Sequence, residues 1–139
     1  MQKRVLPTSL KKVTSKDFDL SFRSHPSTGK LLVKKDDDAV KQALKNLILT
    51  NKYERPFRPE YGGDIRRRLF DLFDSIDRSD FESRLKTVIK NYEPRAILDS
   101  FSVSVKEYPD MNSLSVTISY RNAITLADVV VDVNLNKVR

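Results

Sequence analysis

The sequence predicts an α+β fold, a mostly antiparallel sheet with about three helices packed on one face. Three observations carry this. Apolar residues recur with a helical period between residues 37 and 92, and with two-residue alternation after residue 97. The alternating stretches follow one another with only short turn signals between them, the order of a meander and not of parallel crossovers. The chain has 139 residues, 39% of them hydrophobic, enough for one domain with its own core.

The elements follow in order. Asp17-Phe18-Asp19-Leu20-Ser21-Phe22 alternates polar and apolar residues, the period of a half-buried strand. His25-Pro26-Ser27-Thr28-Gly29 is a turn, and Leu31-Leu32-Val33 is either a second strand or the approach to a helix. Asp36, Asp37 and Asp38 supply an N-cap and first-turn charge for a helix over residues 37–50, with Val40, Ala43, Leu44, Leu47 and Ile48 as its stripe. Residues 51–63 cannot be regular, because Pro56 and Pro59 break helices and Gly62-Gly63 permits unusual dihedrals. A second helix opens near Asp64, with Ile65, Leu69, Leu72, Phe73 and Ile76 in phase. A third opens at Ser79-Asp80-Phe81-Glu82, a capping-box pattern, buries Phe81, Leu85, Val88, Ile89 and Tyr92, and ends at Pro94. Strands then run through Phe101, Val103 and Val105 over residues 97–107, and through Leu114, Val116, Ile118 and Tyr120 over 114–121. The last runs through Val129, Val131, Val133 and Leu135 over 126–135. Residues 108–112 and 122–125 connect them.

The charge is uneven. The net charge is +7, and residues 1–35 account for all of it, with nine basic residues against Asp17 and Asp19. Residues 1–16 are expected to form a basic arm and residues 17–139 a single domain. Such an arm suits a solvated terminus, a protein surface or nucleic acid. Val5, Leu6, Pro7 and Leu10 interrupt its cations, as in an extended segment lying on a protein, and no aromatic platform is present for single strands. No stretch reaches the roughly 20 apolar residues of a membrane helix, so no membrane partner is expected. With no cysteine and one histidine, thiolate chemistry and multi-histidine metal sites are excluded, and no cofactor or metal is expected.

Two motifs stand out. The first is Tyr53-Glu54-Arg55-Pro56-Phe57-Arg58-Pro59-Glu60-Tyr61-Gly62-Gly63, a proline-stiffened loop with the Arg and aromatic content of an interface hot spot. Its aromatics either plug the loop onto the core or face a partner. The second is Tyr92-Glu93-Pro94-Arg95, where Pro94 forces the chain off the helix axis. Glu93 and Arg95 are then a surface ion pair, a buried link between helix end and loop, or an exposed pair that recognises a partner. Glu54, Glu60, Glu82 and Glu93 offer carboxylates for glycoside hydrolysis, but spacing alone gives no pair at the required separation. His25 in its polar turn is a solvated residue, not a base. No catalytic residue is therefore assigned.

These motifs carry a resemblance. Arg55-Pro56-Phe57-Arg58-Pro59-Glu60-Tyr61-Gly62-Gly63-Asp64 with Leu69-Phe70 resembles a block of the small baseplate wedge protein of T-even-like contractile-tailed phages, and Glu93-Pro94-Arg95 resembles that family's Glu-Pro-Arg motif. The resemblance covers about residues 36–135. It implies a structural, non-enzymatic subunit in the virion tail baseplate, assembled in the host cytoplasm. The implied fold is similar to the strand-exchange domain of tail sheath proteins. The implied partners are other wedge proteins, gripped at their helical core bundle through Glu93, Pro94 and Arg95, then the tail sheath subunit, and beyond them hub or tail tube proteins. Arg55, Phe57, Arg58 and Tyr61 are the further partner-binding candidates. Residues 126–135 or 17–22 are candidate open edges for a sheath strand. The family has also been labelled lysozyme-like, so the alternative is a peptidoglycan-cleaving tail lysozyme. A small nucleic-acid-binding module is the third reading.

Overall fold

A computed structural model describes residues 15–68, 75–99, 102–108 and 113–136. Leu69, Leu72, Phe73, Phe101, the expected connection at residues 109–112 and most of the basic arm lie outside the described residues.

The C-terminal half is the expected meander. Strand β5 (Ser113–Asn122) is central and antiparallel to β4 (Val103–Tyr108) on one side and β6 (Asp128–Asn136) on the other. The short β3 (Ala96–Ile97) pairs with the end of β5 beyond β4. The register aligns apolar residues into rows across the sheet. Val103, Ile118 and Val131 form one, and Val105, Val116 and Val133 form the next. All six are buried, because each strand presents alternate residues to one face.

Helices cover that face. Helix α1 (Asp36–Leu49) contributes Val40, Leu44, Leu47 and Ile48, and α3 (Ser75–Tyr92) contributes Phe81, Leu85 and Ile89 to one continuous core. The short α2 (Ile65–Arg68) adds Ile65. Asp36, Asp37 and Asp38 do occupy the first turn of α1, where their charge suits the helix dipole. The N-cap is Lys35 instead, with no side-chain cap. The aspartates work elsewhere. Asp36 exchanges hydrogen bonds with Ser15, and Asp37 Oδ1 accepts from Asn122 Nδ2 (2.6 Å) and Thr125 Oγ1 (2.7 Å). Helix α1 is thereby tied to the turn between β5 and β6.

Two expectations are corrected. Ser79 does not open the third helix. It lies inside α3, where its carbonyl accepts from Ser83 Oγ at 2.9 Å. No proline or glycine stands between Ser75 and Ser79, so nothing stops the helix starting earlier. Glu82, the supposed capping residue, accepts from the Val105 backbone N–H at 2.9 Å and fixes α3 to β4. The strand at residues 17–22 is shorter and faces the other way. It is β1 (Lys16–Phe18), paired only with β2 (Val33–Lys35) in a separate two-stranded hairpin. Phe18 is exposed while Asp19 is buried, with a bond to the Leu32 carbonyl and its own carboxylate facing Ser21.

Candidate functional site

The loop at residues 50–63 is closed by its own backbone. Tyr53 donates to the Pro59 carbonyl (2.9 Å), Arg58 to Arg55 (3.2 Å) and Tyr61 to Arg58 (3.1 Å). Gly63 donates to Leu47 at 2.9 Å and roots the loop on α1. Both glycines are required there. Gly62 has φ +131° and a Cβ would lie 2.4 Å from the Thr50 carbonyl oxygen, while a Cβ on Gly63 would lie 2.9 Å from Ile48. Glu54 bonds Asn51 twice, through the backbone N–H at 2.9 Å and the side-chain amide at 2.6 Å.

The loop's aromatics divide between the two roles. Tyr61 is a plug. Its ring meets Tyr92 edge-on with centroids 5.1 Å apart, and the Arg55 guanidinium lies 4.3 Å from its centroid. Phe57 is a tip. It is fully exposed, beside exposed Arg58, with φ +65°, a left-handed conformation that a bulky residue adopts at a cost. Tyr53, also exposed, has φ +68°.

Tyr92 ends α3 and leads directly into the second motif. Glu93 is buried, and its carboxylate accepts two bonds from Arg95, Nε to Oε1 at 2.6 Å and NH2 to Oε2 at 2.5 Å. Arg95 also donates to Ser15 Oγ. The pair is thus a bidentate link inside the fold that ties the exit of α3 to the segment before β1. The hydrogen bonds from Arg95 to Glu93 hold the guanidinium proton more firmly than usual, against partial burial. Arg95 keeps about a third of its side chain exposed (33%), and Pro94 is exposed. Beside Pro94 runs an open groove with Ala96, Ile97 and Leu98 along it and Lys86 and Lys90 at its rim. The stack Arg55–Tyr61–Tyr92 therefore joins the two motifs into one structural unit through Tyr92, which the helical period had placed in the core and not among the partner-binding candidates.

The carboxylates raised in the sequence are all engaged. Glu60 lies 3.6 Å from Lys52 Nζ, and Glu54, Glu82 and Glu93 have the partners already given. His25 sits exposed in its turn, its Nδ1 accepting from the Ser27 N–H at 3.3 Å. Among the described residues no cluster of acidic or imidazole side chains is arranged to hold a metal ion, and no helix is long and apolar enough to cross a membrane.

A helix-backed antiparallel meander of this kind is shared with a chain of a solved contractile-tail-like baseplate, and this likeness gives the class of protein. The particular family is given by a family model described as baseplate wedge protein gp25, which matches residues 34–126. The chain belongs to that family. It is 33% identical over 82 residues to the baseplate wedge protein gp25 of Enterobacteria phage T4, a match that covers 59% of this chain and 61% of that relative's length. Among solved structures it is similar to a chain of the anti-feeding prophage baseplate (TM-score 0.66, 25% identity, 79% of this chain and 86% of that one). It shares its fold with a protein provisionally described as a tail lysozyme from Geobacter sulfurreducens (TM-score 0.65, 20% identity, 78% and 96%). It also shares its fold with a chain of the postcontracted pyocin R2 baseplate (TM-score 0.52, 18% identity, 88% and 99%).

Proposed function

We propose that the chain is a non-enzymatic wedge subunit that clasps neighbouring baseplate proteins through the paired motifs and offers a sheet edge to the tail sheath. The observation that carries this is the division of labour in the loop. Tyr61 and Arg55 lock it to Tyr92, while the side chains of Phe57 and Arg58 are exposed on it and Arg58 holds the loop through its backbone. A strained, exposed aromatic on a rigid loop is the form of an interface anchor. Pro94, Arg95 and the adjoining groove form the second contact, suited to the helical core bundle of a wedge. Glu93 takes part from behind, by fixing the Arg95 fork.

The third contact is β6. It pairs with β5 alone among the described strands, and it runs for nine residues without proline. Its outer backbone groups suit strand addition by a sheath subunit.

The test is co-expression with the other wedge proteins of the same tail, followed by size-exclusion chromatography and electron microscopy. Replacing Phe57 and Arg58 with alanine should leave unfolding unchanged within about 0.5 kcal/mol and abolish wedge recovery. Wedges at normal yield would sink the clasp. Replacing Val130 with lysine should leave the wedge intact and suppress sheath initiation, because a cation on an exposed strand blunts its edge. Normal sheaths would remove β6 from the reading. Turnover of purified cell wall by the chain, lost on a Glu→Gln change, would establish the lysozyme alternative instead.

A further inference from the structure

The β1–β2 hairpin adjoins both motifs on one side, where Ser15 accepts from Arg95 and Asp17 shares a cavity with Arg55 and Tyr61, but its outward face is free of them and has an unusual chemistry. Phe18 and Val33 oppose each other across it as an apolar strip, 63% and 45% exposed, and Leu20, Phe22 and Leu31 are exposed in the segments that adjoin it. At the end of that strip Lys16 opposes Lys35, both exposed. Like charges directly opposite in a ladder repel, and neither lysine makes an ion pair among the described residues. The other face of the same hairpin is compensated. Lys34 opposes Asp17, and Asp19 lies 3.9 Å from Lys34 and 3.8 Å from Arg23.

We propose that this outward face docks an acidic amphipathic segment of a partner protein, whose apolar side covers Phe18 and Val33 and whose carboxylates neutralise Lys16 and Lys35. Charge complementarity selects that occupant. A second copy would bring the same two lysines. The chain's own arm would bring Lys3, Arg4, Lys11 and Lys12 with no acidic residue. Anionic bilayers and nucleic-acid backbones are gripped by clusters of cations, more than this face holds. An apolar centre with a charged rim is the anatomy of a protein–protein contact.

The full chain is titrated into a labelled helical peptide with leucines on one face and glutamates on the other. The same peptide with lysines for glutamates, phosphatidylglycerol vesicles and a single-stranded oligonucleotide are the comparison probes. The acidic peptide should bind, and the other three should bind more weakly. Phe18→Ser, and separately the double change Lys16→Ala/Lys35→Ala, should each weaken acidic-peptide binding by about tenfold or more. The lysine change relieves repulsion, so it should not lower the unfolding midpoint, and its loss of binding cannot be ascribed to misfolding. Equal affinity for the acidic and basic peptides overturns the proposal, as does undiminished binding by the double lysine variant. Tighter binding to vesicles or oligonucleotide would assign the face to a lipid or nucleic-acid surface and overturn it equally.

Discussion

Tyr120 is one of three described residues, with Asn51 and Arg78, that have a buried side-chain polar atom left without a partner. Its ring fills the core beneath β5, yet the hydroxyl makes no hydrogen bond among the described residues. Burial, with Asp37 and Glu93 nearby, pushes its ionisation up to about 12. Removing the hydroxyl should therefore raise stability, by about 1 kcal/mol, because an unsatisfied buried polar group costs more than it returns. The alkaline limb follows with a definite sign. The folded hydroxyl stays neutral to about pH 12, while the unfolded chain ionises it near 10.0, so stability is unaffected by this group's titration below pH 10 and falls as pH rises toward 12, a fall that the phenylalanine variant lacks. Urea midpoints of the chain and of Tyr120→Phe at pH 7 and across that window check both, and a less stable phenylalanine variant would refute the account. The pairing of Glu93 with Arg95 was open to reading from spacing, since the residues stand two apart around a proline. Its burial was not, because the contact with Ser15 comes from 80 residues away. For the same reason Arg95→Ala is a poor probe of binding. It strands the buried Glu93 carboxylate, at a cost of roughly 3 kcal/mol or more.

At the scale of elements, periodicity predicted existence better than placement. Helix α1 and strands β5 and β6 lie within about two residues of their expected bounds, because each has a full stripe that only one face can bury, whereas the single strand expected over 97–107 is divided into β3 at Ala96–Ile97 and β4 at Val103–Tyr108. The start of α3 was misplaced by a local cap pattern that the helix runs straight through. In the first hairpin the strand expected over residues 17–22 holds only to Phe18, and its apolar side is exposed and not buried, since alternation cannot say which side a partner will cover. The loop was legible as irregular, but not as a clamp. Its closure depends on Gly62, whose φ of +131° and near contact of 2.4 Å from an added Cβ to the Thr50 carbonyl leave no room for a side chain. Gly62→Ala should cost about 2–3 kcal/mol, from strain and displacement of the loop together. It should lower the thermal midpoint and free the Tyr61 ring, read as altered tyrosine ring signals in NMR spectra. An unchanged midpoint would mean that the loop is not held as described.

Over the whole molecule, the charge is divided between a basic N-terminal quarter and a neutral remainder. Ser15, the first described residue, bonds Asp36 and Arg95, and deleting residues 1–14 leaves those contacts untouched. That deletion takes away Lys3, Arg4, Lys11 and Lys12, four of the 26 cations, all from one end. If the arm steers the subunit toward acidic partners, its effect is on encounter and not on the fold. The shortened chain should keep its unfolding midpoint. Its association rate with partner wedge proteins should fall several-fold at low salt and lose much of its dependence on ionic strength, since charges beyond the Debye length of about 10 Å at 0.1 M are largely screened. Stopped-flow association at two salt concentrations measures this directly. If both chains associate at the same rate with the same salt slope, the positive charge of the first residues has no part in assembly, and recruitment rests on the clasp and the sheet edge alone.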